Sequence, residues 1–238
     1  MSVFVISDLH LATADADKSM EVFGNRWKEY IQKTKNNWLK VISDNDTVII
    51  PGDISWGLTA EDALQDLLWL DALPGKKIIL KGNHDFWWTT LAKLNKVFES
   101  NNITTITPLQ NGAIEVEDYI IAGSRGWFTD KSMQPDDENA DYEKIVNREA
   151  IRLEMSLKAA AEIQSTCDKE IIAFMHFPAI WGEFVCEPIL NVLKKYNVRT
   201  CYFGHIHGVY AIPETVKYDG IDFKIVSADF LEFLPKII

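Results

Sequence analysis

An α/β fold of two mixed β-sheets faced by helices is the architecture this sequence predicts, and three observations carry it. Through about residue 106 the chain alternates short β-branched runs with amphipathic stretches over short connections, the pattern of a parallel sheet with right-handed crossovers. From Ala113 onward the pattern changes to two hairpins, a long amphipathic helix and two more buried strands. All five histidines of the 238 residues stand just past a predicted strand, at the sheet edge where turns leaving parallel strands converge and ligands bind.

Residues 3–6 form the first strand and deliver Asp8 and His10. Residues 20–42 have helix-forming composition, with Trp27, Ile31, Trp38 and Ile42 available for a core face. The second strand, residues 47–50, delivers Asp53, and Thr59 with Asp62 three residues on resembles a capping box that opens a helix striped by Ala63, Leu64, Leu67 and Leu68. Pro74-Gly75 stops that helix, and the apolar run 78–80 is a third strand delivering Lys81-Gly82-Asn83-His84-Asp85. A helix over 89–98 and a strand over 103–106 complete the first sheet. In the second half, 113–116 and 119–122 pair as a hairpin, 138–164 is a long helix with one apolar stripe, and the strand 171–175 delivers His176. A short helix over 187–196 precedes a strand over 200–203 that delivers His205 and His207, and a hairpin turns at Asp219-Gly220. With no internal repeat or low-complexity tract, residues 1–238 are expected to form a single domain.

Composition narrows the function classes. Hydrophobic content of 47% and charged content of 25% are those of an ordinary soluble protein. A net charge of −11, from 35 acids against 24 bases, disfavours a long nucleic acid or an anionic membrane as partner. A small anionic substrate remains open if the site brings its own positive charge. No apolar run reaches the ~18 residues of a membrane span, no secretory signal is visible at the start, and Cys167, Cys186 and Cys201 follow no paired spacing. A cytoplasmic location is expected.

The histidines share their address with Asp8 and Asp53, and in extended backbone the pairs Asp8/His10 and His205/His207 would point to one side. Mixed nitrogen and oxygen donors without thiolate suit Mn²⁺, Fe or Zn²⁺. Seven candidates, Asp8, His10, Asp53, Asn83, His176, His205 and His207, are too many for one ion and match two divalent ions sharing a carboxylate. Two such ions against two aspartates leave a cationic site, suited to a phosphate.

Taken in order, Asp8-Leu9-His10, Gly52-Asp53, Gly82-Asn83-His84-Asp85, His176 and Gly204-His205-Ile206-His207 resemble the motif set of the calcineurin-like metallophosphoesterase superfamily, in its bacterial-type phosphohydrolase branch. The resemblance implies a four-layer α-β-β-α sandwich, with Asp8, His10 and His207 on one ion, Asn83, His176 and His205 on the other, and Asp53 between them. It implies a metal-bridging hydroxide as nucleophile and His84 as proton donor to the leaving oxygen, acting on a small phosphorylated substrate. Asp85, the other catalytic candidate, would orient His84 or cap a helix. After Asp53 the chain reads Ile54-Ser55-Trp56-Gly57, without the Asp and Arg of the protein phosphatase branch. Other classes are a non-catalytic binding module on the same fold and an amidohydrolase; the full ligand set and the proton donor weigh against the first, and Asp-X-His on the first strand against the second.

Arg125 could clamp a substrate phosphate or make a salt bridge, and Trp127 with the other aromatics near the motifs, Trp56, Phe86, Trp87, Trp88 and Trp181, could stack on a flat group or wall the core. Residues 129–137 read as a solvated acidic loop, with a lid as the other possibility.

Overall fold

The computed structural model describes residues 1–14, 18–127 and 141–238. In chain order, β1 (Val3–Val5), α1 (Tyr30–Val41), β2 (Thr47–Ile50), α2 (Leu64–Asp71), β3 (Lys76–Ile79), α3 (Leu91–Ser100) and β4 (Ile106–Pro108) make the first half. The second half is β5 (Ala113–Val116), β6 (Tyr119–Ser124), α4 (Tyr142–Gln164), β7 (Glu170–Met175), the short pair β8 (Ile180–Trp181) and β9 (Phe184–Val185), α5 (Glu187–Lys195), β10 (Thr200–Phe203), β11 (Thr215–Tyr218), β12 (Ile221–Ile225) and β13 (Lys236–Ile237).

Two mixed sheets result. The first runs β13-β1-β2-β3-β4, parallel except for β13, and the second runs β11-β12-β10-β7-β6-β5, with antiparallel edges at β11 and β5 around four parallel strands. Their side chains alternate as pleated strands require. Val3, Val5, Ile49 and Ile78 meet Ile121, Ile172, Phe174 and Tyr202 between the sheets. Phe4, Ile6, Val48 and Ile50 point outward to Trp38, Leu67, Leu70 and Leu94 of α1, α2 and α3. On the far side Ile120, Ala122, Ile171 and Ala173 meet Leu153 and Leu157 of α4 and Leu190 and Leu193 of α5. Helix, sheet, sheet and helix are thus successive layers around three apolar interiors. Past the ends of β1 and β12 the sheets are stitched together: Ser7 donates its N–H to Val226 O at 2.8 Å, and Ala228 donates to Ser7 O at 2.9 Å.

Several elements depart from the sequence pattern for local reasons. The expected helix over 20–42 is broken into two 3₁₀ turns and α1, because Gly24 (φ 118°) and Glu29 (φ 54°) are left-handed residues that a right-handed helix cannot include. The Thr59/Asp62 box forms reciprocally, with N–H to side-chain oxygen bonds of 3.0 and 3.2 Å, but it closes a turn, and the α-helix begins at Leu64. The fourth strand starts at Ile106 because Ile103 is used to end α3: its N–H returns to Phe98 O at 2.9 Å beyond the left-handed Asn102. The described part of the long helix begins at an Asp141 cap that accepts from Lys144 N at 3.0 Å. The acidic loop 129–137, with its possible lid role, lies outside the described residues. Among the described residues no helix is long and apolar enough to cross a membrane.

Candidate metal centre

The strand ends bring the seven ligand-type residues to one edge, and they do so through strained backbone. Asp8 and His10 follow β1, Asp53 follows β2, Asn83 and His84 follow β3, His176 follows β7, and His205 and His207 follow β10. Asp8 (φ 60°), His10 (φ 45°), Asp53 (φ 52°) and His205 (φ 70°) are all left-handed. The extended i, i+2 geometry expected from sequence is therefore corrected: Asp8 and His10 converge through tight turns rather than by alternation. Non-glycine residues in that region cost on the order of 1–2 kcal/mol each, and bonds within the site oppose the cost. Asp8 N donates to Gly52 O at 3.0 Å and His10 N to Asp53 O at 2.9 Å. Tyr30 donates its hydroxyl to His10 O at 2.6 Å, and His205 N donates to Asp8 Oδ1 at 2.9 Å. Close approach also needs missing side chains: a Cβ on Gly82 would lie 2.0 Å from Asp53 Oδ1, and one on Gly204 2.2 Å from Asp8 Oδ2.

Two groups of side chains could each hold a metal ion, Asp8 with His10 and His207, and Asp53 with His176 and His205, each within 4.8 Å. His10 Nε2 and His207 Nε2 face each other at 3.2 Å. In the second group His176 Nε2 lies 2.7 Å from Asn83 Oδ1 and 3.3 Å from His205 Nδ1, which is itself 3.0 Å from Asn83 Oδ1. Asp53 Oδ2 stands between the groups, 3.3 Å from His176 Nε2 and 3.7 Å from His10 Nε2. Converging imidazole nitrogens, carboxylates and an amide oxygen with no thiolate are a fitting donor set for borderline divalent cations. His176 Nδ1 sits 3.2 Å from Pro51 O, a contact that directs Nε2 at the site.

Electrostatics without a cation show what one would replace. Burial works against the charge on Asp8, but the His207 hydrogen bond and the His176 and His207 charges hold its pKa down at about 2. Asp53 also lies below the usual carboxylate range, as His176 outweighs burial. Burial drives His10 to about 4 and, reinforced by His176, His205 to about 3. Against its burial, His207 is raised to about 10 by Asp229 and Asp8, and His176 is raised by Asp53. The aspartates thus have a proton on His207 beside them, which cation binding there would release.

His84 sits over this edge. Its N–H donates to Asp53 Oδ1 at 2.8 Å, and its ring lies 4.3 Å from Trp56 and 5.6 Å from His10, centroid to centroid. Burial, opposed by the Asp53 charge, lowers its pKa. Asp85, expected to orient His84 or cap a helix, is a buried acceptor of backbone N–H groups. Its carboxylate accepts from the N–H groups of Asp53, Ile54, Ser55 and Gly82 and from Trp87 Nε1, at 2.8 to 3.3 Å. Burial, then the Asp53 charge, raises its pKa to about 6, while the backbone donors pull it down. Its five N–H donors favour the ionised carboxylate and tie the loops after β2 and β3 together.

The secondary candidates divide. Arg125 makes the salt-bridge alternative, Nη2 to Glu149 Oε1 at 3.1 Å, with its guanidinium 4.5 Å from the Trp127 ring centroid. Trp87 and Trp88 are core, Phe86 is exposed, and Trp56 stacks on His10 at 5.0 Å.

Asp229 was missed. It is fully buried and accepts from His207 Nδ1 at 2.7 Å, Gly208 N at 3.0 Å and the Tyr210 hydroxyl at 3.0 Å. The signal was present, since Asp229 lies just beyond β12, but no histidine marked that strand end. Such an outer carboxylate orients a ligating imidazole and typically adds 10- to 100-fold to metal affinity. Asp229→Asn is expected to weaken one of two bound Mn²⁺ ions by about 10-fold or more, read by calorimetric titration with both sites resolved.

Comparison with curated proteins finds no match. Among solved structures, a protein of unknown function from Aquifex aeolicus is 20% identical with a TM-score of 0.46, the alignment covering 99% of this chain and 95% of that one. A second crystal structure is 11% identical with a TM-score of 0.53, covering 94% of this chain and 89% of the other, and is alike in fold. The calcineurin-like phosphoesterase model matches residues 1–209, a span that contains both of the groups able to hold metal, and on that match the chain belongs to the calcineurin-like phosphoesterase family.

Proposed function

We propose that the chain is a binuclear metal-dependent phosphohydrolase acting, in the cytoplasm, on a small phosphorylated compound rather than on a long nucleic acid or a membrane. The carrying observation is the pair of Asp/His groups on either side of Asp53. Asp8, His10 and His207 would hold one cation, Asn83, His176 and His205 the other, and Asp53 both. Divalent ions there, Mn²⁺, Fe or Zn²⁺, would supply Lewis acidity, positive charge for the phosphoryl oxygens and a water acidic enough to ionise at neutral pH.

The chain's own residues do the rest. His207, held by Asp229, and His176, held against Pro51, keep fixed orientations. His84 is anchored through its backbone to Asp53, leaving its ring to face the substrate and give a proton to the leaving oxygen. Trp56 and the surrounding aromatics shield the His10 side from water.

The test is metal analysis of the purified protein, followed by a panel of phosphomonoesters and phosphodiesters with added Mn²⁺. Two metal equivalents and turnover of at least one ester class are expected, with competitive inhibition by inorganic phosphate. No turnover across the panel, or turnover indifferent to phosphate at tens of times the substrate KM, would overturn the proposal.

A further inference from the structure

Beside the metal edge lies a second concentration of positive charge. A cleft of about 40 Å³ is lined by Lys81, Gln110, Ser124, Arg125, Glu149 and Arg152, among others. Arg125 Nη2 at 3.1 Å and Arg152 Nη1 at 2.7 Å both meet the same oxygen, Oε1 of the fully buried Glu149, and Arg148 Nε lies 3.7 Å from it. That leaves Glu149 Oε2 and Arg125 Nε buried without a hydrogen-bond partner among the described residues. Lys81 is half-buried, and its ammonium makes no hydrogen bond or ion pair there either. Three cations and one carboxylate line the cleft, an excess of two positive charges in a chain of net charge −11. Buried polar groups are ordinarily matched, so the orphaned Arg125 Nε and Glu149 Oε2, beside the partly exposed Lys81 and Arg152, call for a partner that both accepts and donates.

Its position relates it to the metal edge. Lys81 is two residues from Asn83, so their Cα atoms are within about 7 Å. The Arg125 carbonyl accepts from His176 N at 3.2 Å and Phe177 N at 2.9 Å. At about 10–15 Å³ per water-sized group, the cleft of about 40 Å³ holds roughly three such groups, the scale of the oxygens of a phosphoryl head.

We propose that this cleft binds a second phosphoryl group of the substrate, so that the substrate class is a compound bearing two phosphoryl groups, one hydrolysed at the metal edge and one held by Lys81, Arg125 and Arg152. Arg125 Nε and Lys81 donate to its oxygens, and Glu149 Oε2 accepts from its hydroxyl in the singly protonated form. The proposal deepens the phosphohydrolase reading and rests on it.

Methylenediphosphonate, which cannot be hydrolysed, and inorganic phosphate are the probes, titrated calorimetrically into the metal-loaded protein. The diphosphonate is expected to bind at least ~10-fold more tightly than phosphate, and that ratio to fall towards one in Lys81→Met and in Arg152→Met. Lys81 holds no ion pair that its loss would break, so Lys81→Met keeps the test open if the arginine variant fails to fold. In kinetics the loss of kcat/KM in Lys81→Met should be at least ~10-fold greater on a bisphosphate than on p-nitrophenyl phosphate. An unchanged diphosphonate-to-phosphate ratio in folded Lys81→Met, with turnover intact, overturns the second subsite and leaves the phosphohydrolase reading standing. Absence of turnover on every ester overturns that reading, and with it the assignment of the cleft to a substrate.

Discussion

Asp53→Asn is expected to lose metal from both groups at once and to cost at least ~10³ in kcat/KM, the scale of losing several kcal/mol of charge stabilisation. Asp53 Oδ2 reaches His176 on one side at 3.3 Å and His10 on the other at 3.7 Å, so its charge is shared more evenly than that of Asp8, whose Oδ1 lies 3.4 Å from His207 and 3.9 Å from His176. Asparagine is suited to the substitution because it tolerates the left-handed backbone at φ 52° and keeps an oxygen for the His84 N–H. The fold should survive, and the loss can be read as electrostatic. Mass-spectrometric metal analysis after desalting should find both equivalents depleted, while His10→Ala should deplete mainly one. Two equivalents retained in Asp53→Asn would mean that the carboxylate does not bridge.

The second large effect is expected at His84. A positioned general acid typically contributes ~10² to 10⁴ in rate, and its contribution shrinks as the leaving group becomes a more stable anion. His84→Asn should therefore keep both metals, lose ~10² or more in kcat on an alkyl phosphoester, and lose much less on p-nitrophenyl phosphate. The ring makes contacts with Trp56, His10 and Phe86, so a thermal melt alongside the kinetics separates a packing defect from a chemical one. Equal losses on the two esters would assign His84 to phosphate binding, and depleted metal would place it among the ligands.

Most of the layered fold was legible because buried parallel strands are continuous apolar runs and the helices between them carry one apolar stripe. What was hidden depended on single backbone conformations. Gly24 and Glu29 break the first helical stretch, and Asn102 moves a strand's start, through positive φ angles that periodicity does not register. The candidate site was legible through its histidines, since every one of them follows a strand. The geometry of convergence was not: Asp8 and His10 were assigned an extended backbone, and the structure turns both left-handed. The anchoring bonds of Asp85 are hidden for a related reason. Its five donors come from the loop after β2 and from its own loop, and no spacing in sequence reports that those loops meet. Asp229 lacked a histidine neighbour to mark it, although it holds one that lies 22 residues away in the chain.

The seam between the sheets has a consequence for when the site comes into being. Each metal group draws on both sheets: Asp8 and His10 follow β1 whereas His207 follows β10, and Asp53 follows β2 whereas His176 and His205 follow β7 and β10. His10 and His207 are 197 residues apart in the chain. A growing polypeptide therefore completes the two groups only once His205 and His207 have been made, and contacts of such long range form slowly. Before then the newborn chain has only fragments of either group, and both come together with the closing of the sandwich.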